Sequence, residues 1–147
     1  MSDALELEFD VAAPTQHAFE MWTARIDLWW PRGHTVSRDQ AAAIVLEPRP
    51  GGRIFERTPD GAEHPWGEVL EWEPPNRLVY LWHLMFDRSQ ATEVEVTFTD
   101  RGDATAVRIR QTGFERLGAA GAARRERTRA GWQAVVSHYR PAAAAMR

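Results

Sequence analysis

Few side chains in this chain stand at spacings that could do chemistry by themselves. Five histidines, His17, His34, His64, His83 and His138, are scattered with no His-Glu-x-x-His or comparable ligand spacing. There is no cysteine, so thiolate nucleophiles, disulfides and sulfur-ligated metals are excluded. Neither a Gly-x-Ser-x-Gly elbow nor a Gly-rich phosphate loop occurs. Covalent catalysis, a metal site and a cofactor are therefore not expected. Two kinds of acid–base candidate remain. Glu68 and Glu71 sit in a tryptophan-containing run, where a carboxylate facing an apolar cavity would have a raised pKa; the plainer alternative is a solvated strand residue or a partner for Arg77. His34, just after a tryptophan pair, and His83, beside Trp82, are the histidines placed to serve as polar groups of a pocket.

Aromatic recognition is the other chemistry on offer. The chain holds seven tryptophans, six phenylalanines and two tyrosines. Burying each indole removes about 150–250 Å² from water, worth several kcal/mol at about 25 cal/mol per Å², so the tryptophans could all be core. Seven indoles are nevertheless hard to pack without voids in one small interior, and their N–H groups need partners. Part of the interior is thus expected to be an unfilled or wet cavity, with Trp30, Phe55, Trp66, Trp82, Phe98 and Trp132 as its walls and His34 and Glu68 as polar contacts.

The elements that must position these residues are organised around 62–86, AEHPWGEVLEWEPPNRLVYLWHLMF. It reads as a β-hairpin broken by Pro74, Pro75 and Asn76, since proline cannot donate to a β-ladder. Both faces of this hairpin are apolar, so alternation does not say which lines the interior. Upstream, Leu5, Leu7, Phe9 and Val11 alternate with acidic residues, as in a strand with one dry face. A helix, a bend near Thr23 to Arg25 and a short second helix ending near Trp30 follow. Residues 33–40 are polar and suit a lid or rim. Residues 42–47 read as a strand, with a hairpin turn at RPGGR (49–53) and another turn at 58–61.

TEVEVTFTD and VRIRQT are predicted to pair through 101–103, placing an acidic face against a basic one. The last segment, about 121–140, carries Trp132, Val135, Val136 and Tyr139 at helical spacing. Pro141 is expected to end it, leaving a frayed Ala-rich tail at 141–147. Gly131 suggests close contact with the sheet, and the arginines at 124, 125, 127 and 129, diluted by Glu126, read as a solvated helix face.

At 147 residues with 18 basic and 21 acidic side chains, the expectation is one domain (core about 4–140) with no electrostatic drive toward nucleic acid or an anionic membrane. Every basic side chain is arginine, read as nucleotide bias rather than phosphate binding. No basic leader precedes an apolar run, and no 18 consecutive apolar residues occur. A soluble, cytoplasmic protein without membrane insertion is expected.

Strand, short helices, six antiparallel strands and a long final helix make an α+β helix-grip fold of the START and birch-pollen-allergen type, a curved antiparallel sheet wrapped around a C-terminal helix. LWWP at 28–31, RPGGR at 49–53, WGEVLEWEPPNRLVYLW at 66–82, TEVEVTF at 92–98, QTGF at 111–114 and GW at 131–132 together resemble the START-like SRPBCC superfamily. The branch is that named after the activator of the ninety-kilodalton heat-shock protein ATPase, in a bacterial single-domain form. The resemblance implies a hydrophobic cavity between sheet and final helix that takes a small apolar or aromatic ligand. Two alternatives come with it. One is a chaperone-ATPase-activator-like interaction module, with a role in stress response; the other is a cyclase- or hydrolase-type enzyme using the same cavity. The family's eukaryotic namesake carries a further amino-terminal domain that engages the chaperone, and these 147 residues leave no room for it, which weakens the co-chaperone expectation. A homodimer is left open.

Overall fold

The computed structural model describes residues 4–145. Seven strands form one curled antiparallel sheet in the order β1-β7-β6-β5-β4-β3-β2: β1 Leu5–Val11, β2 Ala43–Leu46, β3 Arg53–Arg57, β4 Glu63–Glu73, β5 Arg77–Trp82, β6 Thr92–Asp100 and β7 Thr105–Thr112. Helix α1, Thr15–Trp22, and two single 3₁₀ turns, Ile26–Leu28 and Arg32–His34, follow β1; helix α2, Gly121–Ala145, packs on the inner face. The helix-grip fold is thus the one expected.

Alternation decides which face is dry. Val94, Val96 and Phe98 of β6 and Val107 and Ile109 of β7 are buried in one cluster with Leu5 and Val11, while the intervening charges face outward. On that outer face Glu95 lies opposite Arg110 in the ladder, but its ion pair is with Arg77 (2.6 Å), and Arg110 turns to Glu6 at 3.4 Å. The expected acidic-to-basic apposition is therefore met by neighbouring strands on either side. The β4–β5 hairpin closes at Pro74–Asn76, with a cis bond between the two prolines. It turns Trp66, Leu78, Tyr80 and Trp82 to the interior, and a register shift between Val69 and Glu71 lets Trp72 also reach it. Gly67 is needed for this pairing, because a Cβ there would lie 1.9 Å from the Leu81 carbonyl oxygen.

Helix α2 departs from the sequence expectation at its end. Pro141 does not stop it: the helix runs on to Ala145, with Ala143 fully buried. Proline removes an N–H and crowds the preceding turn, at a cost of about 3 kcal/mol in a free helix. Here Tyr139 donates from its hydroxyl to the Ala18 carbonyl (2.7 Å), Arg140 Nε donates to the Asp10 carbonyl (2.8 Å), and Ala142 and Ala143 pack on the core, so tertiary anchoring on both sides of Pro141 overrides the local preference. Of the predicted frayed tail, 141–145 is helix, and 146–147 lie outside the described residues.

The height of α2 above the sheet is set by a buried polar chain. Trp132 Nε1 donates to Gln111 Oε1 (2.6 Å), Gln111 Nε2 to Thr92 Oγ1 (2.7 Å), and Thr92 Oγ1 to the Trp82 carbonyl (3.4 Å). Each group is almost wholly out of water, where an unmet donor or acceptor costs about 1–3 kcal/mol. Gln111→Leu is expected to lower stability by about that amount, since it orphans the Trp132 indole and takes away the donor to the Thr92 hydroxyl. Urea denaturation checks this; an unchanged midpoint would show that the chain of bonds does not hold the helix.

Candidate functional site

The space between α2 and the sheet is filled at its centre by aromatic rings. Trp132 is sandwiched between Trp22 and Trp82, near-parallel to both, with ring centroids 6.0 Å away on each side. Trp30 meets Trp66 (5.2 Å), Trp82 (5.8 Å) and Trp29 (5.7 Å); Trp22 and Trp29 edge against Tyr139. The indole donors of Trp29, Trp30, Trp66 and Trp132 all find protein acceptors, so those four need no internal water. Burial pushes the Tyr139 phenol well above the usual tyrosine range.

The packing stops short at the amino-terminal half of α2. There a cavity of about 280 Å³ lies between the helix (Arg124, Arg127, Thr128, Gly131, Trp132, Val135), the tryptophans Trp30 and Trp82 with His34, and the outer segment Leu84–Met85–Phe86. This is near the lower end of the about 300–1,000 Å³ typical of small-molecule sites. Gly131 contributes by absence: a Cβ built on it meets nothing within 4 Å. Its sequence reading as a point of close contact with the sheet is thereby corrected, because the missing side chain keeps the cavity wall open. A second, more polar groove of about 610 Å³ lies on the other side of Met85 and Phe86, edged by Val36, His64, Pro65, His83 and Asp87–Arg88. The wall between the two is a short loop with Met85 at φ 71° and 55 % exposed, an uncommon conformation for a non-glycine residue.

Of the eight residues singled out from the sequence, Trp30, His34, Trp82 and Trp132 line the cavity. The other four do not, each for a local reason. Phe55 points to the opposite face, held between the guanidiniums of Arg53 and Arg57 at 4.4 and 5.2 Å, because its neighbours Ile54 and Glu56 take the inward positions. Trp66 is wholly buried behind Trp30 and Trp82. Phe98 packs on Phe19 (5.3 Å), away from the cavity. Glu68 pairs with Arg88 (3.2 Å), and Glu71 pairs with Arg77 (2.8 Å), so neither carboxylate faces an apolar space. His83 is buried but borders the second groove.

Two charged residues passed over in the sequence carry the electrostatics. Glu56, fully buried on β3, accepts from Val36 N (2.5 Å), Ser37 N (3.0 Å), Ser37 Oγ (2.6 Å) and Trp66 Nε1 (2.9 Å). Burial alone would raise its pKa, but these donors outweigh it and the net shift is downward. The segment 33–40, mobile-looking as sequence, is thus tied down at Val36 and Ser37. Inside the same stretch Trp30 Nε1 donates to the His34 carbonyl (3.0 Å), which fixes His34 at the cavity edge. The other residue is Arg124. It belongs to the arginine run read as a solvated helix face, yet it is only 6 % exposed and lines the cavity. The same-face helical spacing of Arg124 to Trp132 and Val135 was the available signal, masked by four arginines in six positions.

Among the described residues, no helix is long and apolar enough to cross a membrane, and no group of three or more His, Asp or Glu could hold a metal ion. The model of the family described as Activator of Hsp90 ATPase homolog 1-like protein matches residues 12–138. No curated protein matches. Among solved structures the chain is similar to protein MLL2253 from Mesorhizobium loti, at 19 % identity over 94 % of each chain with a TM-score of 0.69. It is similar to Txn09, an anthrahydroquino-γ-pyrone synthase, at 34 % identity over 84 % of each chain with a TM-score of 0.58. DynU16, a protein in the dynemicin biosynthetic locus, matches at 21 % identity and a TM-score of 0.69 over 97 % of this chain, which spans 47 % of the DynU16 chain.

The Glu56 geometry gives a pH dependence with a definite sign. A carboxyl whose folded pKa lies below its unfolded value of about 4.3 contributes stability that is complete above that value and is lost as pH falls through the folded pKa. Glu56→Gln is therefore expected to be less stable than the parent at pH 7, by about 1–3 kcal/mol, with the gap narrowing as pH drops below about 4.3. Urea midpoints across that range check it; a gap independent of pH would mean the carboxylate charge is not what holds 36–37.

Proposed function

The chain belongs to the Activator of Hsp90 ATPase homolog 1-like family, and from that premise and the cavity we propose that it binds a small, planar, mainly apolar molecule between α2, Trp30, Trp82 and the 84–86 segment. The observation that carries the reading is the open space at Gly131, walled by Trp30, Trp82, Trp132, Leu84, Phe86 and Val135. Indole faces offer stacking surface to an aromatic ring, and their own N–H groups are largely occupied elsewhere, so recognition there rests on shape and dispersion. The binding site assigned is Trp30, His34, Trp82 and Trp132. A cytoplasmic setting is part of the same proposal, and all the side chains that line the site come from one copy of the chain.

A second reading is an enzyme of the cyclase type acting in this same cavity. It is favoured by the 34 % identity to an anthrahydroquino-γ-pyrone synthase. His34 is the imidazole on the cavity wall and the general acid–base type of side chain there, whereas Glu68 is outside and takes no part. A chaperone-directed role would rest on an exposed face instead, and loss of the cavity would leave it intact.

Gly131→Leu separates the two cavity readings from the chaperone-directed one. The substitution removes a helix-interior glycine, worth up to about 1 kcal/mol of helix propensity, and fills the cavity mouth. Stability is expected to hold or rise. Affinity for a neutral bicyclic aromatic such as 2-naphthylmethanol, followed through tryptophan emission, is expected to fall at least about tenfold, which is about 1.4 kcal/mol. Unchanged affinity in the folded variant would overturn the assignment of the cavity.

A further inference from the structure

Arg124 is a buried cation without a counter-ion among the described residues. Its Nη1 donates to the Gln90 carbonyl (2.8 Å), and its guanidinium carbon lies 3.6 Å from the centre of the Phe86 ring. Nε has no hydrogen-bond partner, and among the described residues no carboxylate pairs with Arg124. Burial, and then the like charge of Arg127, lower its pKa. A guanidinium so placed is unfavourable unless something completes it, because removing a charge from water is repaid only by a partner of opposite sign.

Its surroundings sharpen the point. Arg124 stands near the amino terminus of α2, the positive end of the helix dipole, where carboxylates are favoured and cations are not. The first turn carries no acidic residue, and Arg125 and Arg127 follow. The cavity lining contains Arg124 and Arg127 and no Asp or Glu. Three sources of positive potential thus converge on a pocket whose other walls are Trp30, Trp82, Trp132, Leu84 and Phe86.

We propose that the cavity selects an aromatic carboxylate, its ring against the tryptophans and its anionic group paired with the Arg124 guanidinium, Arg127 adding a second, more exposed charge. This rests on the cavity assignment made above and adds to it the charge of the ligand. The Phe86 ring over the guanidinium keeps water from that face, so a charge-assisted hydrogen bond made there is stronger than one at the surface.

Calorimetric titration of the full chain with 2-naphthoate and its neutral isostere 2-naphthamide tests it. In the parent, naphthoate is expected to bind at least about tenfold more tightly than the amide. Arg124→Gln should bring the ratio close to one. Arg124→Met provides the same test with an apolar side chain that relieves an unpaired buried charge, so it is expected to fold at least as well as the parent. Arg127→Gln should lower the ratio less. Equal affinities in the parent would overturn the anion preference and leave the cavity assignment standing. A preference that survives both Arg124 variants would also overturn it, since the anion would then be held elsewhere. Binding of neither probe would remove both inferences together.

Discussion

The hydrogen bond from the Trp132 indole to Gln111 is the constraint on which the interior depends. Made at 2.6 Å between two buried groups and continued through Thr92 to the backbone of β5, it pins the middle of α2 to three adjacent strands at one height. With that height fixed, Trp132 can lie between Trp22 and Trp82, and the carboxyl-terminal half of the helix closes onto α1 and β1 through Tyr139 and Arg140. Toward its amino terminus the helix is tied to residue 90 through Arg124 and faces the loop at Leu84–Phe86 across a gap, and the cavity is what the rigid indoles leave there. An unfilled space persists because the rings around it are locked by their own bonds and cannot collapse inward.

The polar groups divide into two kinds around this frame. Glu56 is fully satisfied: four donors surround one carboxylate, and the result is a fixed rim at 36–37. Arg124 is under-satisfied, with one carbonyl, one ring face and an idle Nε. Both lie in a family whose matching model covers residues 12–138 and whose fold supplies the sheet and helix but not the identity of the ligand. What shapes the cavity is therefore local, in the side chains at 30, 34, 82, 84–86 and along 124–135.

The fold was legible because its signals are periodic. Alternation in 92–100 and 105–112, proline and glycine at the turns, and the helical spacing of 132, 135 and 139 each encode one dry face, and a dry face dictates layer order. The site was legible only in part. Of the walls expected, Trp30, Trp82 and Trp132 line the cavity and Phe55 and Trp66 do not, since a register shift in β3–β4 and apolar residues on both faces of the hairpin hide which side is inner. Glu56 and Arg124 were missed because charged residues in a strand or helix normally face water, and only their three-dimensional partners reveal otherwise. Pro141 misled for the opposite reason, as its local preference was overridden by anchors 121 and 130 residues away in sequence.

The claim at the centre of this account is that a small aromatic molecule lodges beside Trp30, Trp82 and Trp132 rather than on an outer surface. Two-dimensional NMR of the tryptophan indole N–H groups during titration with 2-naphthoate tests it most directly, since each of the seven rings reports separately. The expected result is saturable movement of the Trp30, Trp82 and Trp132 resonances with Trp72 unmoved; movement confined to Trp72, or no movement at any concentration reached, would contradict the account.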